Sequence, residues 1–158
     1  YTSVWANVEG TGYITASFQA QLAATHGTPK WWLAQFRDWT NDLNYWETND
    51  WDADGRAAWQ EYLASTDPTN ALSTFEMSGV GLAGGTAWVS WVSAFADPAL
   101  PAFLVQESTN LTIGTGGVWA SASPALVPRA NGTNVWRGAA PLSSVLPLYY
   151  RIAATNAY

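Results

Sequence analysis

Residues 86–93 read Thr-Ala-Trp-Val-Ser-Trp-Val-Ser, a run of β-branched and aromatic residues that follows Gly84-Gly85 directly. A short run of this kind, bounded by turn-forming residues, predicts a β-strand. Five similar runs occur downstream of residue 71, at 72–80, 102–108, 117–122, 133–138 and 147–154. Short strands separated by turns at this spacing predict a fibronectin- or immunoglobulin-like β-sandwich over residues 71–158.

The segment before these strands, residues 27–70, has helical rather than strand periodicity. Gly27-Thr28-Pro29 predicts a helix start, with Thr28 as N-cap and Pro29 at the first helical position, and the helix continues through Phe36. A second short helix is predicted from about residue 56 to 64, before Asp67-Pro68 ends it. We therefore expect two short helices packed on the sandwich through their aromatic faces.

Residues 1–26 predict an N-terminal β-hairpin that turns at Glu9-Gly10-Thr11-Gly12. In its second strand Ile14, Ala16, Phe18 and Ala20 alternate with polar residues, so they lie on one face. A lone hairpin is marginally stable in water. This face therefore pairs either with the rest of the chain or with a neighbouring copy, and the whole chain is predicted to be mainly β.

Residues 50–61, Asp-Trp-Asp-Ala-Asp-Gly-Arg-Ala-Ala-Trp-Gln-Glu, fit a calcium-loop pattern at every defined position. Asp50, Asp52 and Asp54 would converge on one ion, Arg56 would offer its backbone carbonyl, and Glu61 would close the shell with both carboxylate oxygens. Asp67 is either a turn former or a further ligand. The sequence thus predicts a Ca²⁺ site with six candidate ligand residues: Asp50, Asp52, Asp54, Arg56, Glu61 and Asp67.

The composition excludes several classes of partner and chemistry. The chain has 158 residues, a formal net charge of -6 and only six lysines and arginines, which argues against nucleic acid or an anionic membrane as partner. It has no cysteine, so disulfides and thiolate chemistry are excluded. No apolar run approaches the roughly 20 residues of a membrane span. This composition, together with a calcium motif, is typical of a secreted bacterial protein found outside the cell or on its surface.

An enzyme is not expected. The sole histidine, His26, is in a predicted loop without an acidic partner or a nucleophile elbow. A carbohydrate-binding module is the alternative, because exposed Trp faces stack on sugars and the chain has 11 Trp. We expect Trp31, Trp32, Trp59, Trp88 and Trp91 to lie in the core, and Trp5, Trp46, Trp51, Trp119 and Trp136 to be less buried.

Several motifs together resemble a module of secreted bacterial surface proteins of the Verrucomicrobia and Planctomycetes type. They are Gly27-Thr28-Pro29-Lys30-Trp31-Trp32-Leu33, the calcium loop, Trp59 to Asn70, Ser108-Thr109-Asn110-Leu111 and Tyr149-Tyr150-Arg151-Ile152. In that family the helix leads into a calcium loop similar to those of thrombospondin type 3 and dockerin modules, and a β-sandwich follows. Here Ser65 replaces the usual Gly before Thr66-Asp67-Pro68. The resemblance implies a structural or surface role and names no substrate.

We therefore expect a non-catalytic, calcium-stabilised subunit of an extracellular filament, sheath or surface layer. Its partners would be copies of itself, joined by β-strand addition through residues 1–20. The alternative is a monomeric calcium-dependent carbohydrate-binding or adhesion module of a larger secreted protein, with glycans as ligands.

Overall fold

The computed structural model describes residues 21–38, 42–109, 118–139 and 149–154. The predicted N-terminal hairpin strands, residues 2–20, lie outside these ranges. The described elements are helices α1 (Lys30–Phe36), α2 (Leu43–Glu47) and α3 (Ala58–Ala64), and strands β1 (Met77–Ala83), β2 (Thr86–Ser93), β3 (Phe103–Ser108), β4 (Ala120–Val127), β5 (Gly132–Arg137) and β6 (Tyr149–Ala153). None of these helices is long and apolar enough to cross a membrane.

The strands form two antiparallel sheets of three strands each. One sheet has the order β1-β2-β5 and the other β4-β3-β6. The prediction of a mainly β chain is therefore confirmed. The strand predicted at residues 86–93 has the same bounds as β2.

Side chains from both sheets meet in one hydrophobic core. Every second residue of β2 is buried, which places Val89 and Trp91 on the inner face of its sheet. Trp136 of β5 is paired with Val89 and is 2% exposed. The opposite sheet contributes Phe103 and other buried residues. The full core comprises Ala87, Val89, Trp91, Phe103, Val105, Ala122, Val127 and Trp136.

A second hydrophobic cluster belongs to the helical segment. It contains Trp32 and Leu33 of α1, Leu43 of α2, and Ala58 and Tyr62 of α3. The loop between β2 and β3 also enters it, through Leu100 and the partly buried Phe95. The helices thus pack where β2 ends and β3 begins, and we call this side of the sheets the helical end.

Helix α3 is fixed to the sheets by polar contacts. Ala94 N, just after β2, donates to Ser65 O at 2.7 Å. The Tyr62 hydroxyl donates to Asp97 Oδ2 at 2.6 Å. Arg129, in the loop between β4 and β5, donates to Leu63 O at 2.6 Å, Ser65 Oγ at 2.7 Å and Pro101 O at 2.7 Å. A displacement of α3 would break these bonds, so its position and that of the sheets are coupled.

The start of α1 differs from the prediction by one residue. Pro29, with extended backbone, is the N-cap, and Lys30 is the first helical residue. Thr28 is buried, and its backbone N donates to Glu47 rather than its side chain capping the helix. The prediction of Thr28 as N-cap was therefore wrong, because a buried carboxylate from α2 takes over the amides of this turn.

Candidate metal centre

The loop from Asp50 to Arg56 is wound by hydrogen bonds from its own amides to its carboxylates. Asp50 accepts from Ala53 N at 2.8 Å and from Gly55 N at 2.9 Å. Asp54 accepts from Arg56 N at 2.8 Å. Ala53 and Gly55 both have positive φ, 64° and 95°, which turns the chain back on itself. Gly55 takes that conformation without steric cost, as the calcium-loop pattern requires.

This winding brings three carboxylates together. One oxygen each of Asp50, Asp52 and Asp54 lies within 4.8 Å of the others. Asp52 Oδ2 is buried and has no hydrogen-bond partner among the described residues. Burial, followed by the charges of Asp54 and Asp50, raises the pKa of the Asp52 carboxyl. The cluster therefore carries an electrostatic cost that a cation would offset.

Glu61, on the first turn of α3, presents a further carboxylate near this cluster, although it is not one of the three whose oxygens lie within 4.8 Å of one another. Its side chain is fully buried. Oε1 lies 3.4 Å from Thr66 Oγ1, whereas Oε2 has no partner among the described residues. Burial, and after it the charges of Asp52 and Asp54, raise the pKa of the Glu61 carboxyl to about 8. A buried carboxylate oxygen without a donor is costly unless a proton or a metal ion binds it.

The loop and α3 are held in register by contacts outside the carboxylates. Ala58 N donates to Asn49 O at 2.9 Å, which joins the start of α3 to the residue before the loop. Gln60 Oε1 accepts from Ala57 N at 2.8 Å and so caps the helix. Trp51 Nε1 donates to Trp46 O at 3.0 Å. The guanidinium of Arg37 lies 4.7 Å from the ring centres of both indoles.

The two remaining predicted ligands, Arg56 and Asp67, make other contacts. The guanidinium Nε of Arg56 is 4.0 Å from Asp54 Oδ2. Asp67 Oδ1 accepts from both the backbone N and the hydroxyl of Thr69, at 3.0 Å and 2.7 Å, so it forms a turn. Carbonyl ligation by Arg56 and metal ligation by Asp67 stay predictions.

Sequence reasoning missed the role of Glu47. The side chain is fully buried, and its oxygens accept backbone N–H bonds from Thr25, His26 and Thr28 at 2.9–3.1 Å. Those amides satisfy the carboxylate without a metal. No motif in the sequence marks the contact, because the partners are backbone groups about 20 residues away.

The arrangement of Asp50, Asp52, Asp54 and Glu61 suits a hard cation. All donors are oxygens, and two of these oxygens are buried without a partner in the part of the chain that the structure describes. Ca²⁺ accepts six to eight oxygen ligands in flexible geometry, whereas Mg²⁺ demands a near-ideal octahedron and keeps several waters. The three aspartates could therefore hold a metal ion, and the choice of Ca²⁺ stays a prediction from the sequence motif.

No family model, curated protein or solved structure matches the chain. The resemblance to bacterial surface modules accordingly stays a prediction from the motifs.

Proposed function

We propose that this protein is a non-catalytic structural subunit of an extracellular assembly, stabilised by a bound Ca²⁺ ion. Asp50, Asp52, Asp54 and Glu61 supply the carboxylate ligands, with the Arg56 carbonyl and Asp67 as candidates for the rest. The observation that carries this proposal is the buried Oε2 of Glu61, which has no donor among the described residues. The Glu61 carboxyl also lies close enough to the three aspartates for their charges to raise its pKa.

A structural role follows from what α3 connects. Glu61 is on α3, and the next residues along the helix, Tyr62 and Leu63, take part in the bonds to Asp97 and Arg129. An ion that fixes Glu61 therefore fixes the helix that joins the helical cluster to the sheets. In a chain without cysteines, this cross-brace does the work that a disulfide does in other secreted proteins.

The finer fold belongs to the same proposal. The strand orders β1-β2-β5 and β4-β3-β6 correspond to an immunoglobulin-like sandwich, in which the first, second and fifth strands form one sheet and the third pairs with the sixth in the other. Such sandwiches assemble when an extended segment is added to an open sheet edge. Residues 1–20, with their alternating apolar face, are the segment we propose for that role, which makes copies of the same chain the partners.

Thermal melting with and without calcium tests the ion. At a free Ca²⁺ concentration about 100 times its dissociation constant, binding adds about 2.7 kcal/mol to the free energy of unfolding. We expect excess chelator to lower the melting temperature of the parent protein, and Asp52→Asn to remove the difference between the two conditions. Glu76→Gln, an exposed acid outside the cluster, is the matched control and keeps the calcium response. If excess chelator left the melting temperature of the parent protein unchanged, the proposed calcium site would be wrong.

One groove favours the second candidate, a carbohydrate-binding module. It has a volume of about 330 Å³ and is lined by Trp31, Phe95, Gln35 and Asp67 among others. Trp31 is 44% exposed although its neighbour Trp32 is buried. An accessible indole beside amide and carboxylate groups is suited to a sugar ring. A glycan array with the parent and Trp31→Ala tests it: binding that the substitution abolishes would support this function, and no binding would remove it.

A further inference from the structure

The chain's single Asn-Gly pair, Asn131-Gly132, lies where the loop between β4 and β5 meets β5. Asn131 is exposed, and Gly132 has a φ of 94°, in the left-handed region that glycine adopts without strain. A Cβ added at Gly132 would meet no atom within 4 Å outside its two chain neighbours. The side-chain amide of Asn131 is therefore followed by a backbone nitrogen that no side chain shields.

Asn131 differs from the other four asparagines that the structure describes. The side-chain amides of those four are held by hydrogen bonds of 2.7–3.1 Å; they are Asn44, Asn49, Asn70 and Asn134. No hydrogen bond joins the Asn131 side chain to a described residue. A held amide must lose its hydrogen bonds before it can react, and none of the four precedes a glycine. Asn131 therefore combines an amide without a partner among the described residues with an unshielded backbone nitrogen next to it.

An asparagine in this setting can react with its own backbone. The Gly132 nitrogen attacks Cγ of Asn131, a bond forms between these two atoms, and the bond from Cγ to Nδ2 breaks. Nδ2 leaves as ammonia with the proton that the Gly132 nitrogen gives up. Water then opens the resulting succinimide at either carbonyl. One opening gives an aspartyl residue, and the other gives an isoaspartyl residue, whose main chain runs through the side-chain carbon.

We propose that Asn131 is a site of spontaneous deamidation, and that its isoaspartyl product loosens the loop that carries Arg129. Water is the only other reactant. The reaction adds one negative charge to a chain whose formal net charge is already -6. Asparagine is a thermolabile residue that proteins from hyperthermophiles use sparingly. The modification requires neither the bound ion nor the assembly proposed above.

The loosening follows from the contacts of Asn134, a buried residue of β5. Its Oδ1 accepts from Ala130 N at 2.9 Å, and its Nδ2 donates to Ser93 Oγ at 2.9 Å. Nδ2 also lies 3.4 Å from the carbonyl oxygens of Ala130 and Gly132. Asn134 thus bonds the chain on both sides of Asn131. An isoaspartyl residue puts an extra carbon atom into the main chain between these points, so the bonds cannot all persist.

Arg129 connects this loop to helix α3. It directly precedes Ala130, and its guanidinium donates to Leu63 O and Ser65 Oγ at the end of α3. A shift of the main chain at Ala130 would move Arg129 as well, because the two residues share a peptide bond. The hydrogen bonds to Leu63 and Ser65 would then lose their geometry. We therefore expect the modified protein to hold α3 less firmly against the sheets.

Ageing of the purified full chain at body temperature and slightly alkaline pH tests the site. Peptide mapping by mass spectrometry follows the exchange of NH₂ for OH, and an isoaspartyl methyltransferase labels the isoaspartyl product. We expect most chains to convert at Asn131 while Asn70, which is also exposed, keeps its amide. Asn131→Gln is the matched variant: its longer side chain closes the ring more slowly, and no acidic species should accumulate. An Asn131 that kept its amide as long as Asn70, or an Asn131→Gln chain that accumulated the same acidic species, would overturn the proposal.

Melting temperatures of fresh and aged samples test the structural consequence. The aged parent should melt at a lower temperature than the fresh parent, whereas Asn131→Gln should melt alike before and after ageing. A fresh Asn131→Asp chain carries the new charge without the extra main-chain atom, so we expect it to melt close to the fresh parent. An aged parent that melts like the fresh one would overturn the loosening. A fresh Asn131→Asp chain that melts as low as the aged parent would overturn the role of the extra carbon.

Discussion

Glu61 combines two properties that rarely coexist in one acid. Its side chain is fully buried, and one of its oxygens has no donor among the described residues. With a pKa of about 8, the carboxyl holds a proton at neutral pH when no cation is bound. Metal binding would displace that proton, so calcium affinity should rise with pH.

The pH dependence of stability in chelator follows from this shift. The ordinary pKa of 4.5 applies to the unfolded chain and about 8 to the folded one. Between these values the folded state binds more protons, so stability falls as pH rises and then levels off above pH 8. We expect melting temperatures in chelator to fall from pH 5 to 8 in the parent and less steeply in Glu61→Gln. Saturating calcium should remove most of the difference in slope.

Circular dichroism melts at several pH values provide the measurement. A Glu61→Gln protein whose stability in chelator falls as steeply as that of the parent would assign the pH dependence to other groups. Asp52, whose pKa burial also raises, would then be the next candidate.

The tryptophans show where residue-level prediction succeeds and where it fails. Trp32 and Trp91 are buried as expected, but Trp31 is 44% exposed and Trp136 only 2%. The face of a helix that meets its neighbours, and the register that puts Trp136 opposite Val89, depend on tertiary packing. Composition and local pattern contain no information about either.

One distant residue, Arg129, makes several of the contacts that hold helix α3 against the sheets. Arg129 bonds the carbonyls of Leu63 and Pro101 and the hydroxyl of Ser65, and its guanidinium lies 4.1 Å from the ring centre of Phe103. Burial lowers the pKa of this guanidinium to about 10, so it stays charged at neutral pH. Arg129 therefore joins α3 to the sheets.

Arg129→Met should remove these hydrogen bonds while it keeps much of the side-chain volume. Hydrogen bonds to charged groups contribute about 1.5–3 kcal/mol each, and their loss leaves carbonyls without donors. We expect a loss of about 3 kcal/mol in urea unfolding and faster amide exchange in α3. Arg137→Met, an exposed arginine on β5, is the control. Equal stability of the two variants would show that Arg129 does not hold α3 against the sheets.

Strands were easier to predict than their exact limits. The bounds of β2 match the prediction, and β3 and β5 differ from it by one residue. The strand predicted at residues 117–122 ends too early, because β4 continues to Val127 through Pro124. Among the described strands, β4 lies at the edge of its sheet, and its pairing with β3 shifts register between Leu104 and Gln106 of β3. A strand tolerates proline at such a place. Helix α2 was missed because its five residues are too few for a periodic pattern.

At the scale of the whole molecule, the described residues already contain two hydrophobic clusters. A chain that starts at residue 21 should therefore fold without the N-terminal segment. We expect it to be monomeric with the parent's sheet content, whereas the full chain assembles. Light scattering after size exclusion and circular dichroism test this. An unfolded or aggregated product would indicate that residues 1–20 complete the chain's own fold.

Sequence analysis predicted the convergence of the three aspartates better than it predicted the overall arrangement. The loop is a local pattern, and the carboxylates of Asp50, Asp52 and Asp54 converge as the spacing requires. The strand orders and the use of Glu47 by distant amides come from contacts between residues far apart in sequence. Such contacts are set by packing and leave no local signature.

The position of the loop has a mechanical consequence in the proposed filament. In such an assembly, tension applied through the segment before Gln21 would reach the sheets along residues 21–76, because β1 begins at Met77. The loop from Asp50 to Glu61 lies in series on that path. A bound ion would then hold this loop together under tension. The extracellular calcium concentration would set the force at which each subunit begins to unfold.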